Sequence, residues 1–211
     1  VTTVAHLEGL ARAGFNRLSL GVQDFDPVVQ RAVHREQSVE STREMIEAAR
    51  RLGYTSVNVD LIYGLPYQSI EGFTRTLAEV VEMRPDRLAV YSFAFVPWMR
   101  AHMKHLPPES LPAPALKLEL LAAAIDAFGA AGYLQIGMDH FALPGDEMGR
   151  AMEDGTLHRN FMGYTVQASS DVIALGVSGI SDVAGAFAQN AKKLSDYYAR
   201  LGEGRLPVER G

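Results

Sequence analysis

The sequence predicts an α/β fold, in the form of a partial (β/α) barrel with additional flanking elements. Helical patterns with one apolar face alternate with short apolar runs, and this alternation is typical of βαβ units and parallel sheets. The runs carry polar residues on one face near their carboxyl ends, where barrels place their functional groups. Periodicity alone does not separate a barrel from a doubly wound sheet. However, no phosphate-binding glycine motif follows any run, which favours the barrel.

A unit of helix, glycine, aromatic residue and strand recurs along the chain. Its three predicted helices are at 5–13, 42–52 and 115–131. Glycine directly after a helix is the residue type that ends it in a left-handed conformation. The spacing of Ser41 and Glu44 predicts a capping box at the second helix. A further helix ends at Pro85, and strands are predicted at 87–94 and 134–141, all in a parallel sheet.

Two of the predicted strands separate apolar from polar residues. In VNVDLI (57–62), Asn58 and Asp60 lie opposite the two valines, and in LSLGVQ (18–23) Gln23 lies opposite the leucines. Because successive side chains of a strand point to opposite faces, we expect the apolar face to meet the helices and the polar face to line the barrel. Asp60 is a functional candidate, since an acid in such a strand is rare unless it is paired.

Residues 142–211 follow a different pattern from residues 1–141. They are rich in glycine and polar residues, and helices are predicted only around 146–154 and 191–201. The run at 172–183 is predicted to be a buried strand, whose glycines permit close packing rather than phosphate binding. We therefore divide the chain into part of a barrel, 1–141, and a flanking or lid extension, 142–211, packed on the barrel.

Composition excludes several classes of function. The net charge is -5 and no basic block occurs, so a nucleic-acid partner is not expected. No apolar run reaches the roughly 20 residues of a membrane span, and no signal-peptide pattern opens the chain, so we expect a cytoplasmic location. The chain contains no cysteine, which excludes disulfides and thiolate-ligated metals within it, and we predict no metal site here.

Other candidate residues are polar groups near the ends of predicted elements. Arg35 would be a surface residue unless a ligand carboxylate gives it a bidentate contact. Asp139 and His140 close a predicted strand. Alternation places them on opposite faces and prevents a simple dyad, but either could reach a site at the strand tip. His158 and Arg159 lie in a predicted loop and could contact a polyanionic substrate.

Six sequence blocks carry a resemblance to a known family. They are GFNRLSLGVQDFD (14–26), VHREQ (33–37), NVDLIYGLP (58–66), GMDHFALPGDE (137–147), LHRNFMGYTVQ (157–167) and GVSGIS (176–181). Together, and in this order, they resemble the oxygen-independent coproporphyrinogen III oxidases, which are radical S-adenosylmethionine (SAM) enzymes. The resemblance covers nearly the whole chain.

This resemblance implies a function in heme synthesis. The family oxidatively decarboxylates two propionate groups of coproporphyrinogen III to vinyl groups, giving protoporphyrinogen IX. A [4Fe–4S] cluster, reduced by an electron donor, cleaves SAM to a 5′-deoxyadenosyl radical that removes a hydrogen atom from the propionate. The resemblance also implies a barrel of radical SAM type and two bound SAM molecules, and we expect a monomer.

The resemblance assigns cofactor contacts by position. Gln23, Arg35, Asp60 and Ala94 match contacts to the second SAM molecule, Ala94 through its backbone. Ile180 matches an apolar contact to the first SAM molecule. We assign four further residues to the substrate as hypotheses: Asp139, His140, His158 and Arg159.

The sequence departs from the family at the cluster. The family's Cys-x3-Cys-x2-Cys motif, its glycine-rich SAM motif and its acidic SAM ligand have no counterpart in this sequence. A chain without cysteine cannot ligate the cluster. We therefore expect the chain to be an internal part of the enzyme, without the first barrel strands and the C-terminal domain, and to be inactive alone.

Three alternatives stay open from the sequence. One is a radical SAM heme-trafficking chaperone, although HRNFMGYT (158–165) resembles the oxidases rather than the HNxxYW-type version of the chaperones. Another is a cluster-free barrel lyase or hydrolase that uses Asp60 and His140. The third is a non-catalytic binding module.

Overall fold

The computed structural model describes residues 2–160, 163–168 and 171–211. The helices are α1 (Val4–Arg12), α2 (Pro27–Ala32), α3 (Val39–Arg51), α4 (Ile70–Met83), α5 (Pro114–Ala130), α6 (Glu147–Glu153) and α7 (Leu194–Gly202). The strands are β1 (Arg17–Gln23), β2 (Ser56–Tyr63), β3 (Arg87–Ser92), β4 (Leu134–Gly137), β5 (His140–Ala142), β6 (His158–Asn160), β7 (Gly163–Thr165), β8 (Ile180–Val183), β9 (Ala186–Asn190) and β10 (Val208–Arg210). The chain divides into one compact unit that ends at Thr156 and a second that begins at Leu157.

A five-stranded sheet in the order β1-β2-β3-β5-β4 forms the first unit. The strands β1, β2 and β3 are parallel, and they are connected by helices, as parallel strands require. The strand β5 pairs antiparallel with both β3 and β4. The sheet does not close on itself within the described residues, and the predicted α/β fold with a partial barrel is confirmed.

The strand predicted at 134–141 is two strands joined by a tight turn. The first strand ends at Gly137, Met138 has a left-handed φ of 48°, and the second strand begins at His140. The expectation of one parallel strand is therefore wrong. Gly137 and Asp139 are residue types that favour turns, but methionine rarely adopts the left-handed conformation of Met138, and the apolar pattern of the segment favoured a continuous strand.

Helices cover one face of the sheet. Val57, Val59 and Leu61 of β2 are fully buried, as the alternation predicted. They share a core with Phe73 of α4 and Phe128 of α5. Burial of each large apolar side chain contributes roughly 1.5–3 kcal/mol, so the helices stay on this face and the polar face is left for the site.

The predicted glycine ends of the helices are confirmed. The three glycines have left-handed φ values: Gly14 (90°), Gly53 (83°) and Gly132 (84°). The aromatic residue that follows is buried in two of the three cases. The hydroxyl of Tyr54 donates to the carbonyl of Leu7 at 3.0 Å, and that of Tyr133 donates to the carbonyl of Pro85 at 2.7 Å. These bonds join successive helix–strand units.

The helix α3 begins earlier than predicted. Its N-cap is Ser38, whose hydroxyl accepts a hydrogen bond from the backbone N of Ser41 at 3.0 Å. The predicted capping box at Ser41 and Glu44 is therefore wrong, because Ser41 already lies in the first turn. Ser38 offers the same capping chemistry three residues earlier.

Hydrogen bonds of its N-cap hold the helix α6 against the five-stranded sheet. Its N-cap is Asp146, whose buried carboxylate accepts hydrogen bonds from Ser56 Oγ at 3.0 Å and from Arg87 Nε at 2.7 Å. Ser56 and Arg87 are the first residues of β2 and β3, so the helix is held at the amino ends of these strands. The compact units divide after Thr156, and the division into 1–141 and 142–211 stays a prediction. That the following residues are a flanking extension of the barrel stays a prediction.

The second unit is built on a three-stranded antiparallel sheet in the order β10-β9-β8, with the β6–β7 hairpin and α7. The prediction of one buried strand at 172–183 is wrong. Of this run, only Ile180–Val183 is a strand. Ile173 and Leu175 are 76% and 89% exposed. Apolar residues therefore do not identify a core segment here.

The glycines of GVSGIS shape a turn before β8. Gly176 has a φ of 95°, and a Cβ at Gly179 would lie 3.0 Å from the Cβ of Ala174. The buried amide of Asn190 donates to the carbonyls of Ala174 and Gly176, at 3.2 and 3.0 Å. The glycines thus permit a tight turn that a buried side chain from β9 fastens.

The buried carboxylate of Asp24 joins the ends of β1 and β2 to α4. It is 1% exposed and directly follows β1. Its oxygens accept hydrogen bonds from Gln68 Nε2 at 2.6 Å, Thr76 Oγ1 at 2.6 Å and the backbone N of Asp26 at 2.8 Å. Gln68 Oε1 accepts in turn from the backbone N of Gly64 at 2.6 Å. One side chain therefore fixes the loops that follow two neighbouring strands.

We expect Asp24→Ala to lower the free energy of unfolding by about 3 kcal/mol, because buried donors would lose their shared acceptor. Urea denaturation measures this change. The matched control is Asp126→Ala on the exposed side of α5, which should change stability by no more than about 0.5 kcal/mol. Equal losses in the two variants would contradict the role assigned to Asp24.

Candidate functional site

The open face of the sheet carries a polar group centred on Asp60. Asn58 Nδ2 donates to Asp60 Oδ1 at 2.7 Å, and Ser19 Oγ donates to Asp60 Oδ2 at 3.2 Å. Asn58 Nδ2 also lies 2.9 Å from Ser19 Oγ, so the three side chains fix one another. A carboxylate can accept about four hydrogen bonds, and each Asp60 oxygen therefore keeps capacity for a ligand.

Gly21 lets two further polar side chains approach Asp60. Gly21 and Asp60 are paired between β1 and β2. A Cβ at Gly21 would lie 2.7 Å from Gln23 Nε2 and 2.8 Å from Arg35 Nη2, so a side chain here would displace both groups. Arg35 Nη2 donates to the carbonyl of Gly21 at 2.8 Å. The structure thus brings Gln23 and Arg35 into the space above Gly21, the residue paired with Asp60.

The backbone at the end of β1 explains how Gln23 reaches this place. The pairing of β1 with β2 shifts between Gly21 and Gln23, and Gln23 has a left-handed φ of 68°. Gln37 holds the bend, since its Nε2 lies 3.2 Å from the carbonyl of Gly21 and 3.1 Å from that of Val22. Sequence reasoning missed Gln37. Its only signal was an amide two residues after Arg35 in HREQ.

Asp60 belongs to a row that crosses the sheet. The paired residues from β1 to β5 are Gly21, Asp60, Ala89 and His140. Neighbouring strands lie about 4.8 Å apart, so Asp60 and His140 are separated by one strand whose only side chain in this row is a methyl group. The residues paired with Asp60 on both sides, Gly21 and Ala89, are thus small.

Asp139 and His140 form a hydrogen-bonded pair. Asp139 Oδ1 and His140 Nδ1 lie 2.7 Å apart. The expectation that these neighbours cannot form a dyad is wrong, because Asp139 lies in the turn after Met138 and not in a regular strand. The His140 ring packs edge-to-face on Tyr91, with centroids 5.9 Å apart.

Tyr91 lies between the two acidic residues of this face. Burial, and then the negative charges of Asp60 and Asp139, raise the pKa of Tyr91 above its ordinary value of 10.0. The physical cause is that both effects disfavour a phenolate. Tyr91 therefore keeps its proton near neutral pH, and its hydroxyl can donate to a ligand.

Ala94 lies at the same end of the sheet. It is exposed and follows the end of β3 by two residues. The backbone N of Phe93 donates to the carbonyl of Tyr63 at 2.8 Å, and Lys117 Nζ donates to the carbonyl of Phe93 at 3.0 Å. The loop is thereby tied to the carboxyl end of β2, and its backbone is positioned next to the open face.

The remaining candidates belong to the second unit. His158 and Arg159 are exposed on β6, and the guanidinium of Arg159 lies 5.7 Å from the ring centre of Tyr164. Ile180 is half-buried on β8, in an open groove of about 630 Å³. These residues form a second set, separate in the chain from the Asp60 group.

The described side chains fit SAM and do not fit an iron–sulfur cluster. An amino acid carboxylate suits Arg35, an ammonium suits Asp60, and an amide such as Gln23 suits an adenine or ribose. The sequence has no cysteine to ligate a cluster. Within the described residues, no group of three or more His, Asp or Glu side chains could hold a metal ion, and no helix is long and apolar enough to cross a membrane.

The first part of the chain matches a known superfamily of enzymes. Residues 1–80 match the Radical SAM superfamily. The coproporphyrinogen III oxidase of Escherichia coli, described as a radical SAM enzyme, has a structure that superimposes with a TM-score of 0.96 at 45% identity. The match covers 100% of this chain and 48% of that chain. The fold is therefore the partial barrel of radical SAM type.

The particular relatives are named oxygen-independent coproporphyrinogen III oxidases. The protein of Pseudomonas aeruginosa is 50% identical over 202 residues, which are 96% of this chain and 44% of the relative. That of Escherichia coli is 46% identical over 205 residues, or 97% of this chain and 45% of the relative. The chain is a homologue of these proteins, as the resemblance predicted, and it spans slightly less than half their length.

We expect Asp60→Asn to lower the pKa of Tyr91, because the variant removes one of the two negative charges that disfavour the phenolate. The measurement is the ultraviolet titration of tyrosine, after subtraction of the titration curve of Tyr91→Phe. Asp126→Asn, which changes an exposed charge on α5, should leave the pKa unchanged. An unaltered Tyr91 titration in Asp60→Asn would disprove the coupling.

Proposed function

We propose that this chain forms part of an oxygen-independent coproporphyrinogen III oxidase of heme biosynthesis. The reaction is the oxidative decarboxylation of two propionate groups of coproporphyrinogen III, which gives protoporphyrinogen IX. The observation that carries the proposal is the convergence of Gln23, Arg35 and Asp60 around Gly21. It is supported by the high identity to proteins that carry this name.

In this proposal the Asp60 group holds the second of two SAM molecules. Arg35 binds the α-carboxylate through charge-assisted hydrogen bonds, and Asp60 pairs with the α-ammonium. Gln23 contacts the adenosine part, and the backbone at Ala94 approaches the same ligand. Ile180, in the second unit, provides an apolar contact to the first SAM molecule.

The cofactors and the chain have different tasks. When bound, SAM and a reduced [4Fe–4S] cluster supply the radical chemistry that removes hydrogen from the propionate. This chain binds and orients the ligands. Asp60 can do so with little reorganisation, because Ser19 and Asn58 already fix its carboxylate, and such preorganisation reduces the cost of binding.

The cluster must be held by cysteines that this sequence does not contain. The proposed activity therefore belongs to the complete gene product that carries the chain, with an external electron donor. We place the enzyme in the cytoplasm as a monomer. Asp139, His140, His158 and Arg159 are proposed to face the substrate.

The test of the activity is anaerobic incubation of the complete gene product with coproporphyrinogen III, SAM and a chemical reductant. We expect protoporphyrinogen IX together with methionine and 5′-deoxyadenosine. The 211-residue chain, treated with iron and sulfide, should yield neither deoxyadenosine nor the absorption of a cluster, because it has no thiolate ligands.

Other outcomes of this experiment identify the alternatives. Heme binding without a vinyl product would indicate the heme-trafficking chaperone, and would overturn the proposal. The block at 158–165 favours the oxidase, although its residues 161 and 162 lie outside the described part of the chain. A SAM-independent reaction that requires Asp60 and His140 would instead indicate a lyase or hydrolase.

A second prediction concerns the Asp60 group. In the complete gene product, Asp60→Asn should lower the affinity for the second SAM molecule by about tenfold or more, because a charge-assisted contact is lost. Gly21→Val should have the same effect, since its side chain would collide with Gln23 and Arg35. Equilibrium dialysis with labelled SAM measures both the affinity and the stoichiometry.

The control for this prediction is Asp126→Asn, a change of the same type at an exposed position of the same unit. It should bind SAM like the unaltered protein. If Asp60→Asn also kept both SAM molecules at full affinity, Asp60 would have no role in SAM binding.

A further inference from the structure

The groove of the second unit is one face of its three-stranded sheet. Ile180 of β8 pairs with Gln189 of β9, which pairs with Arg210 of β10. Asp182 pairs with Phe187 in the neighbouring row. Because paired residues, and residues two apart in a strand, share a face, these five side chains point to the same side. All five line the groove.

The groove combines an exposed apolar floor with cationic groups. Phe187 is 58% exposed, and Ile180 lies beside it. Arg210 on β10 and Arg159 on the β6–β7 hairpin both line the groove, which has a volume of about 630 Å³. Among the ion pairs of the described residues, neither arginine has a carboxylate partner. The Arg159 guanidinium lies 5.7 Å from the ring centre of Tyr164 in a cation–π arrangement.

These features specify the chemistry of an occupant. Guanidinium groups select carboxylates through bidentate hydrogen bonds. An exposed aromatic and an aliphatic side chain select an apolar ring system. The carboxylate of Asp182 lies in the same groove and can accept a hydrogen bond from a ring N–H. The required ligand is an apolar ring system that carries several carboxylates and N–H donors.

We propose that this groove binds the tetrapyrrole substrate. Phe187 and Ile180 pack against pyrrole rings, Arg159 and Arg210 bind propionate carboxylates, and Asp182 accepts a hydrogen bond from a pyrrole N–H. This inference rests on the proposed function, which supplies a substrate with these groups. It also places the propionates beside Ile180, the residue proposed to contact the first SAM molecule.

The test uses the complete gene product and coproporphyrin III, the stable oxidised form of the macrocycle with the same four propionates. The variants are Arg159→Gln, Arg210→Gln and the double variant. We expect each single variant to bind coproporphyrin about tenfold more weakly, and the double variant about a hundredfold more weakly. Fluorescence quenching measures the binding, and thermal melting verifies the fold.

The matched control is Arg205→Gln, which changes an arginine of the same unit outside the groove that is paired with Glu203. It should bind coproporphyrin like the unaltered protein. In turnover, the groove variants should raise the KM for coproporphyrinogen III and leave SAM affinity unchanged. A purely structural role would instead lower the melting temperature and affect both ligands.

The outcomes separate this inference from the proposed function. Full activity with unchanged KM and unchanged coproporphyrin binding in the double variant would overturn the inference that the groove binds the tetrapyrrole. The proposed oxidase function would still stand. If coproporphyrin binding required both arginines but the protein had no oxidase activity, the groove would remain the tetrapyrrole site and the proposed oxidase function would be overturned. An unaltered protein that does not bind coproporphyrin would overturn the groove directly.

Discussion

The carboxylate of Asp24 is the interaction on which the arrangement of the first unit depends. It is buried where β1 ends, and it accepts hydrogen bonds from Gln68 and Thr76 at 2.6 Å. A buried carboxylate is stable only when such donors surround it, so these hydrogen bonds hold the loops after β1 and β2 in the observed arrangement. That arrangement fixes the left-handed Gln23, the residue directly before Asp24, and thus the edge of the candidate site.

The site itself depends on residues with small side chains. Gln23 and Arg35 occupy the space that a side chain at Gly21 would take, and on the other side of Asp60 the paired residue is the small Ala89. The chemistry comes from charged groups, but glycine and alanine decide that these groups can converge on one ligand. A search for polar residues alone would find the ligands and miss the positions that admit them.

The two units present surfaces of different chemistry. The first offers fixed charges of both signs around Asp60, which suit the amino acid part of SAM. The second offers an apolar floor with arginines at its edge, which suits a ring system that carries propionates. Neither unit supplies a thiolate.

The sequence by itself determined the α/β class, the buried and polar faces of β2 and the glycine ends of the helices. These follow from local periodicity and backbone preference, which act within a few residues. Only the tertiary structure decided that Met138 turns the chain, that Asp139 and His140 pair, and that Asp146 fastens α6 to the sheet. The contacts of Asp146 join residues far apart in sequence, and the Asp139–His140 pair depends on a left-handed methionine that the strand pattern does not predict.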